Sequence, residues 1–78
     1  MDFVTLHARW APANRGDDID FFADWLIGLA DNFYNDGIIV DLLTDEQASD
    51  FTGGLFTASE VAFLIDAAFD YEDEREKV

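Results

Sequence analysis

Carboxylates dominate the chemistry this chain can offer. Asp17, Asp20, Asp24 and Asp31 recur at near-helical spacing, and so do Asp66, Asp70 and Asp73. A carboxylate pair can run glycoside hydrolysis, one member as acid and the other as base or nucleophile. Here carboxylates are so frequent that some pair is expected by chance, and a chain of 78 residues has little material for a deep cleft. Oxygen-rich loops also bind calcium. Only the register Asn32–Leu43 puts a glycine amid acids at the sixth loop position, Gly37. Its third position is then Tyr34, and its twelfth is Leu43, where a bidentate Glu is needed, so the pattern fails. The single histidine, His7, falls on the polar side of its segment with no evident nucleophile or orienting partner. There is no cysteine and no glycine-rich phosphate loop, which removes disulfides and Cys-based zinc sites. The expectation is a non-enzymatic protein without metal or cofactor.

The elements that carry these residues follow from periodicity. Residues 1–78 read as one small acidic domain. Phe3–Trp10 alternates, with Val4, Leu6, Ala8 and Trp10 on one side and Thr5, His7 and Arg9 on the other, which suggests a strand. Ala11–Gly16 reads as a loop with Pro and Gly as breakers. Asp17–Phe33 is the clearest helix. Phe22, Trp25, Leu26, Leu29, Ala30 and Phe33 share one face, and Asp17, Asp20, Asp24 and Asp31 lie opposite. Asn35-Asp36-Gly37 is a turn signal, and Gly37–Leu43 is β-rich but too short to separate strand from buried helix.

Thr44 with Gln47 matches a capping box and opens a short helix to about Phe51, broken at Gly53-Gly54. Thr57 with Glu60 matches another, opening a helix to roughly Glu74. Val61, Leu64, Ile65, Ala68 and Tyr71 form its buried stripe, and Asp66, Asp70 and Asp73 line the reverse face. Phe63 and Phe69 border that acidic stripe and are candidate apolar anchors, while Asp73–Val78 is expected to fray. The fold expected is α+β, mostly helical with one or two short strands; a purely helical bundle is the alternative.

The charge distribution carries the functional content. Eighteen acidic residues against four Lys and Arg give a net charge of −14, and from Gly16 to Glu74 there is no Lys, Arg or His. Self-repulsion within that segment opposes folding. A basic partner or a salty solvent would compensate. Direct nucleic-acid binding is disfavoured because phosphates would be repelled, and anionic membrane surfaces for the same reason. The apolar runs are too short to span a bilayer and no signal peptide is evident, so a soluble cytoplasmic protein is expected.

A helix with a carboxylate on each turn presents charges about 6 Å apart. Duplex DNA carries a phosphate about every 3.4 Å per strand, so two such rows approach its charge density. In small size, acidic helix faces and lack of catalytic residues, the chain resembles the DNA-mimic anti-restriction and anti-CRISPR proteins of phages and mobile elements. The residues that carry the resemblance are Asp17, Asp20, Asp24, Asp31, Asp66, Asp70 and Asp73. It is compositional, covers residues 16–76, and transfers no motif. It implies a non-catalytic inhibitor of a basic nucleic-acid-binding protein, a CRISPR–Cas surveillance complex or a restriction enzyme, blocked by charge mimicry with Phe63 and Phe69 adding apolar contact.

Three other classes share the composition. One is a halophilic domain, although charge gathered on helix faces and a strongly apolar core speak for a dedicated surface. Another is an immunity protein or antitoxin for a basic nuclease. The third is an adaptor. Monomer and dimer both stay open.

Overall fold

The computed structural model describes residues 1–76, and every regular element among them is helical. Helix α1 spans Phe3–Trp10, α2 Ile19–Asn35, α3 Asp45–Thr52 and α4 Ala58–Glu76. Single 3-10 turns lie at Ala11–Asn14 and Val40–Leu42. The expected α+β class is therefore corrected to all-α, the alternative that the sequence allowed.

The error lies at Phe3–Trp10. Its alternation holds for four positions, but a helical stripe of Phe3, Leu6, His7 and Trp10 fits the same letters. Leu6 and Trp10 are buried, Phe3 and His7 half-buried, while Val4 and Ala8 are exposed. Long-range packing of Trp10 selects the helical register. Its ring lies 5.0 Å from Phe22 and 5.8 Å from Trp25. His7 is correspondingly not a free surface residue: its Nε2 meets the Asp17 carbonyl at 2.8 Å, and its ring packs near Trp10 and Phe22.

The β-rich stretch Gly37–Leu43 is extended at Ile39 and Leu43, with the 3-10 turn between them. No second strand is available to pair with it among the described residues. It serves as a strap between α2 and α3 whose turn rests on α4.

Both capping boxes form. The Gln47 N–H donates to Thr44 Oγ1 at 3.1 Å, and the Thr44 N–H donates to Gln47 Oε1 at 3.1 Å. The Thr57 and Glu60 pair is reciprocal in the same way, at 3.0 and 3.3 Å. Asp45 of α3 also accepts the Ala58 N–H at 2.9 Å, so a neighbouring helix helps to cap α4. Gly53 ends α3 at φ 66°, a left-handed conformation that glycine adopts without steric cost. The expected fraying of Asp73–Val78 is corrected as far as Glu76, where α4 remains helical; Lys77 and Val78 lie outside the described residues.

Helices α1 and α2 both run antiparallel to α4. Phe3 stacks 5.8 Å from Tyr71 near one end, and Arg9 meets Glu60 at the other. Asp20, early in α2, meets Tyr71, late in α4. The buried residues form one cluster, with Phe22, Leu26 and Phe33 from α2, Val61 and Leu64 from α4, and Leu6 and Trp10 from α1. Phe51 of α3 closes it edge-on against Phe33, at 4.7 Å. Among the described residues, no helix is long and apolar enough to cross a membrane.

Candidate functional site: an acidic face with an apolar centre

Helix α4 buries Val61, Leu64, Ile65 and Ala68, and this fixes what faces outward. Asp66, Asp70 and Asp73 are exposed on the reverse side, as the spacing indicates. Asp66 and Asp70 make no hydrogen bond or ion pair with the described residues, so both charges are left to solvent. Phe69, between them in sequence, is 51% exposed. Beside it runs a shallow groove lined by Val40, Asp41, Ala62, Ile65, Asp66 and Phe69. The Val40–Leu42 turn forms one wall and α4 the other. Ile39 and Leu42, on either side of Val40 and Asp41, are 62% and 73% exposed and line a separate depression with Gly37, Ile38 and Gln47. The groove on α4 therefore brings the Phe69 ring and Val40 together with the carboxylates of Asp41 and Asp66.

Phe63 has a different environment. It is half-buried and packs on the core cluster, whereas Phe69 stands out from it. The structure separates two rings that the sequence treats alike.

The α2 row is not one continuous solvent face. Asp24 and Asp31 are exposed, but Asp17 precedes the helix, which starts at Ile19 behind Asp18 as N-cap. Asp20 turns into the seam with α4, where the Tyr71 hydroxyl donates to its carboxylate. Arg75 lies 3.3 Å from Asp20, 3.9 Å from Asp24 and 2.8 Å from Glu72. One guanidinium thus gathers three carboxylates. The Tyr71 hydrogen bond, with help from Arg75, holds the Asp20 carboxyl below its usual range, and Asp20 in turn holds the Tyr71 hydroxyl above its own. Glu72 goes the other way: burial and the neighbouring Asp24 carboxyl push its pKa up despite Arg75.

The second cation cluster is at the opposite end of α4. Arg9 Nη1 reaches both Glu60 oxygens at 2.8 Å and donates to the Leu55 carbonyl at 3.2 Å, with its guanidinium 5.5 Å from the Phe56 ring centre. Arg9 and the Thr57 backbone together lower the Glu60 pKa. The cation-free segment is therefore braced from outside, by Arg9 before it and Arg75 after it. Apart from the local Arg75–Glu72 pair, sequence periodicity could not assign these partners, because Arg9–Glu60 and Arg75 with Asp20 and Asp24 join residues far apart in the chain.

Acidic side chains also stand exposed away from both expected rows, at Asp36, Asp41, Glu46 and Asp50. Among the described residues, no group of three His, Cys, Asp or Glu is arranged to hold a metal ion. What the α4 face presents is charge and apolar contact.

No protein-family model matches the chain, and neither the curated proteins nor the solved structures give a match.

Proposed function

We propose that this chain is a non-catalytic inhibitor that binds a basic nucleic-acid-binding surface of a host defence complex, with a CRISPR–Cas effector as the leading target, and blocks access of DNA. The observation that carries it is the outer face of α4. Asp66 and Asp70 stand exposed and unpaired one turn apart, beside the exposed Phe69 ring, while Arg9 and Arg75 are engaged elsewhere. A groove lined by Arg and Lys would exchange its counterions for these carboxylates as it does for phosphates. Steering by the net charge of −14 would make the encounter fast.

The test is a tagged pull-down from host lysate at physiological salt, with duplex DNA as competitor. Capture of a nucleic-acid-binding effector that DNA displaces supports mimicry. Capture only of partners that DNA leaves in place refutes it. A triple reversal, Asp66→Lys with Asp70→Lys and Asp73→Lys, is expected to abolish capture without unfolding the domain. Capture unchanged in that variant removes α4 from the site.

One observation favours a second reading. Exposed carboxylates occur on α2, the strap, α3 and α4 alike, a spread that also suits a domain adapted to high salt. Stability at low ionic strength separates the two.

A further inference from the structure

We infer that the groove between the Val40–Leu42 turn and α4 receives a cationic amphipathic helix of the partner, with apolar side chains seated against Phe69 and Val40 and Lys or Arg on its flanks. This rests on the charge-based reading above and adds which face binds and what shape of partner it takes.

The groove is more apolar than charge mimicry requires. Phe69 is more than half exposed, and Val40, Ala62 and Ile65 line the groove beside it. A surface serving repulsion or solubility alone would carry polar residues there. Ile39 and Leu42, also exposed, line a separate depression with Gln47.

The groove also has a length. From Ala62 to Phe69 along α4 is about 10 Å, two helical turns. A partner helix laid in it would present side chains at i, i+4 and i+7 over the same distance. Ala62 and Phe69, seven residues apart on α4, both line the groove.

Charge selects the occupant. Asp41 and Asp66 line the groove, and Asp70 follows Asp66 by one turn. Arg9 is bound to Glu60, and Arg75 lies at the other end of α4. Arg15 precedes α2 whereas Ile39 follows it, so about 25 Å of helix separates them. A second copy of this chain would bring Asp41, Asp66 and Asp70 against their own kind. A cationic helix is complementary to both the acids and the apolar lining.

The experiment uses the whole chain and two labelled peptides of about five helical turns. One is a Leu/Lys sequence with a single apolar face; the other is a scramble of the same composition with none. Fluorescence anisotropy at physiological salt is expected to show the amphipathic peptide binding at least about tenfold more tightly, as an aromatic anchor implies. Phe69→Ser should erase that preference while leaving the melting temperature nearly unchanged, since Phe69 is half exposed, whereas Leu42→Ser, on the separate depression, should retain it. Val4→Ser and Phe21→Ser, exposed elsewhere, should retain it.

Equal affinity for the two peptides, weakened alike by Asp66→Lys with Asp70→Lys, would overturn the groove while leaving charge-driven binding intact. Failure to bind either peptide would overturn it too; the mimicry reading is decided separately, by DNA-displaceable capture. A concentration-dependent dimer in sedimentation, lost in Phe69→Ser, would replace the partner helix with a second copy and overturn the proposal.

Discussion

Gly28 sits in the middle of α2, where its conformational freedom serves no turn. It has an ordinary helical φ, and a Cβ added there meets no atom within 4 Å. Glycine in a helix interior is less favourable than alanine by about 0.8–1.0 kcal/mol. The site is exposed, so the new methyl adds little burial and creates no clash. Gly28→Ala is therefore expected to stabilise the domain by about 1 kcal/mol, which for a chain of this size raises Tm by about 4–8 °C. Thermal melting by circular dichroism at fixed salt, with urea titration as a check, reads the change directly. An unchanged or lower Tm would refute the reasoning, because it would mean that α2 is not a regular helix at position 28 in solution. The same variant carries a functional control. Gly28 lines a groove with Trp25, Leu29, Asn32 and Phe51, which shares no residue with the α4 groove. Affinity for a partner docked on α4 should be unaffected.

Salt should separate mimicry from salt adaptation: raising KCl from about 0.01 to 1 M shortens the screening length from about 30 to 3 Å, so Tm should rise. A cooperative transition already present at the lowest salt supports a dedicated acidic surface; a chain unfolded there supports the halophilic reading. Acidification from about pH 7 toward the ordinary glutamate value of 4.5 should first raise Tm, because Glu72 has a raised folded pKa and gains stability as it takes up its proton. Further acidification should lower Tm, since Asp20 and Glu60 have depressed folded pKa values and their stabilisation is lost as pH falls below 3.8 and 4.5 respectively. Melting curves across that range, repeated with Glu72→Gln to remove the first phase, check both signs. Phe22→Ala empties a fully buried ring position and should cost about 3–5 kcal/mol, a large share of the roughly 4–12 kcal/mol available to a domain of this length; a cooperative melt with unchanged midpoint would place Phe22 outside the core.

Local signals in the sequence carried well. Thr44 with Gln47 and Thr57 with Glu60 are short-range devices, and both formed where their spacing put them. The apolar face of α2 is likewise a property of one helix, and Phe22, Leu26, Leu29 and Phe33 are buried as its period requires. What failed depended on distant partners. Phe3–Trp10 fits period two nearly as well as period 3.6, and only Phe22, Trp25 and Tyr71 decide between them. The acidic row on α2 was legible as a pattern, but the engagement of Asp20 and Asp24 was not, because Arg75 and Tyr71 arrive from the other end of the chain. On α4, Phe63 and Phe69 looked equivalent beside Asp66, Asp70 and Asp73, and the packing of the other elements set them apart. Ile39 and Leu42 were hidden for a related reason: an apolar run is read as core, and nothing local says which of its members the 3-10 turn leaves outside.

The two clasps on α4 have a consequence for how the chain is made. Arg9 to Glu60 and Asp20 to Tyr71 each join residues 51 positions apart. The last helix supplies Val61, Leu64, Ile65 and Ala68 to a core whose other half, including Trp10, Phe22 and Phe33, is synthesised earlier. A nascent chain that has reached Gly54 thus holds its aromatic rings without their cover. Such intermediates ordinarily stick to one another. Here the carboxylates that strain the finished bundle also keep unfinished chains apart, so the burden on the native state acts as a solubiliser during translation. A fragment ending at Gly54 is expected to be unfolded yet monomeric at low salt and to associate once salt screens its charge; sedimentation showing aggregates at low salt would contradict this.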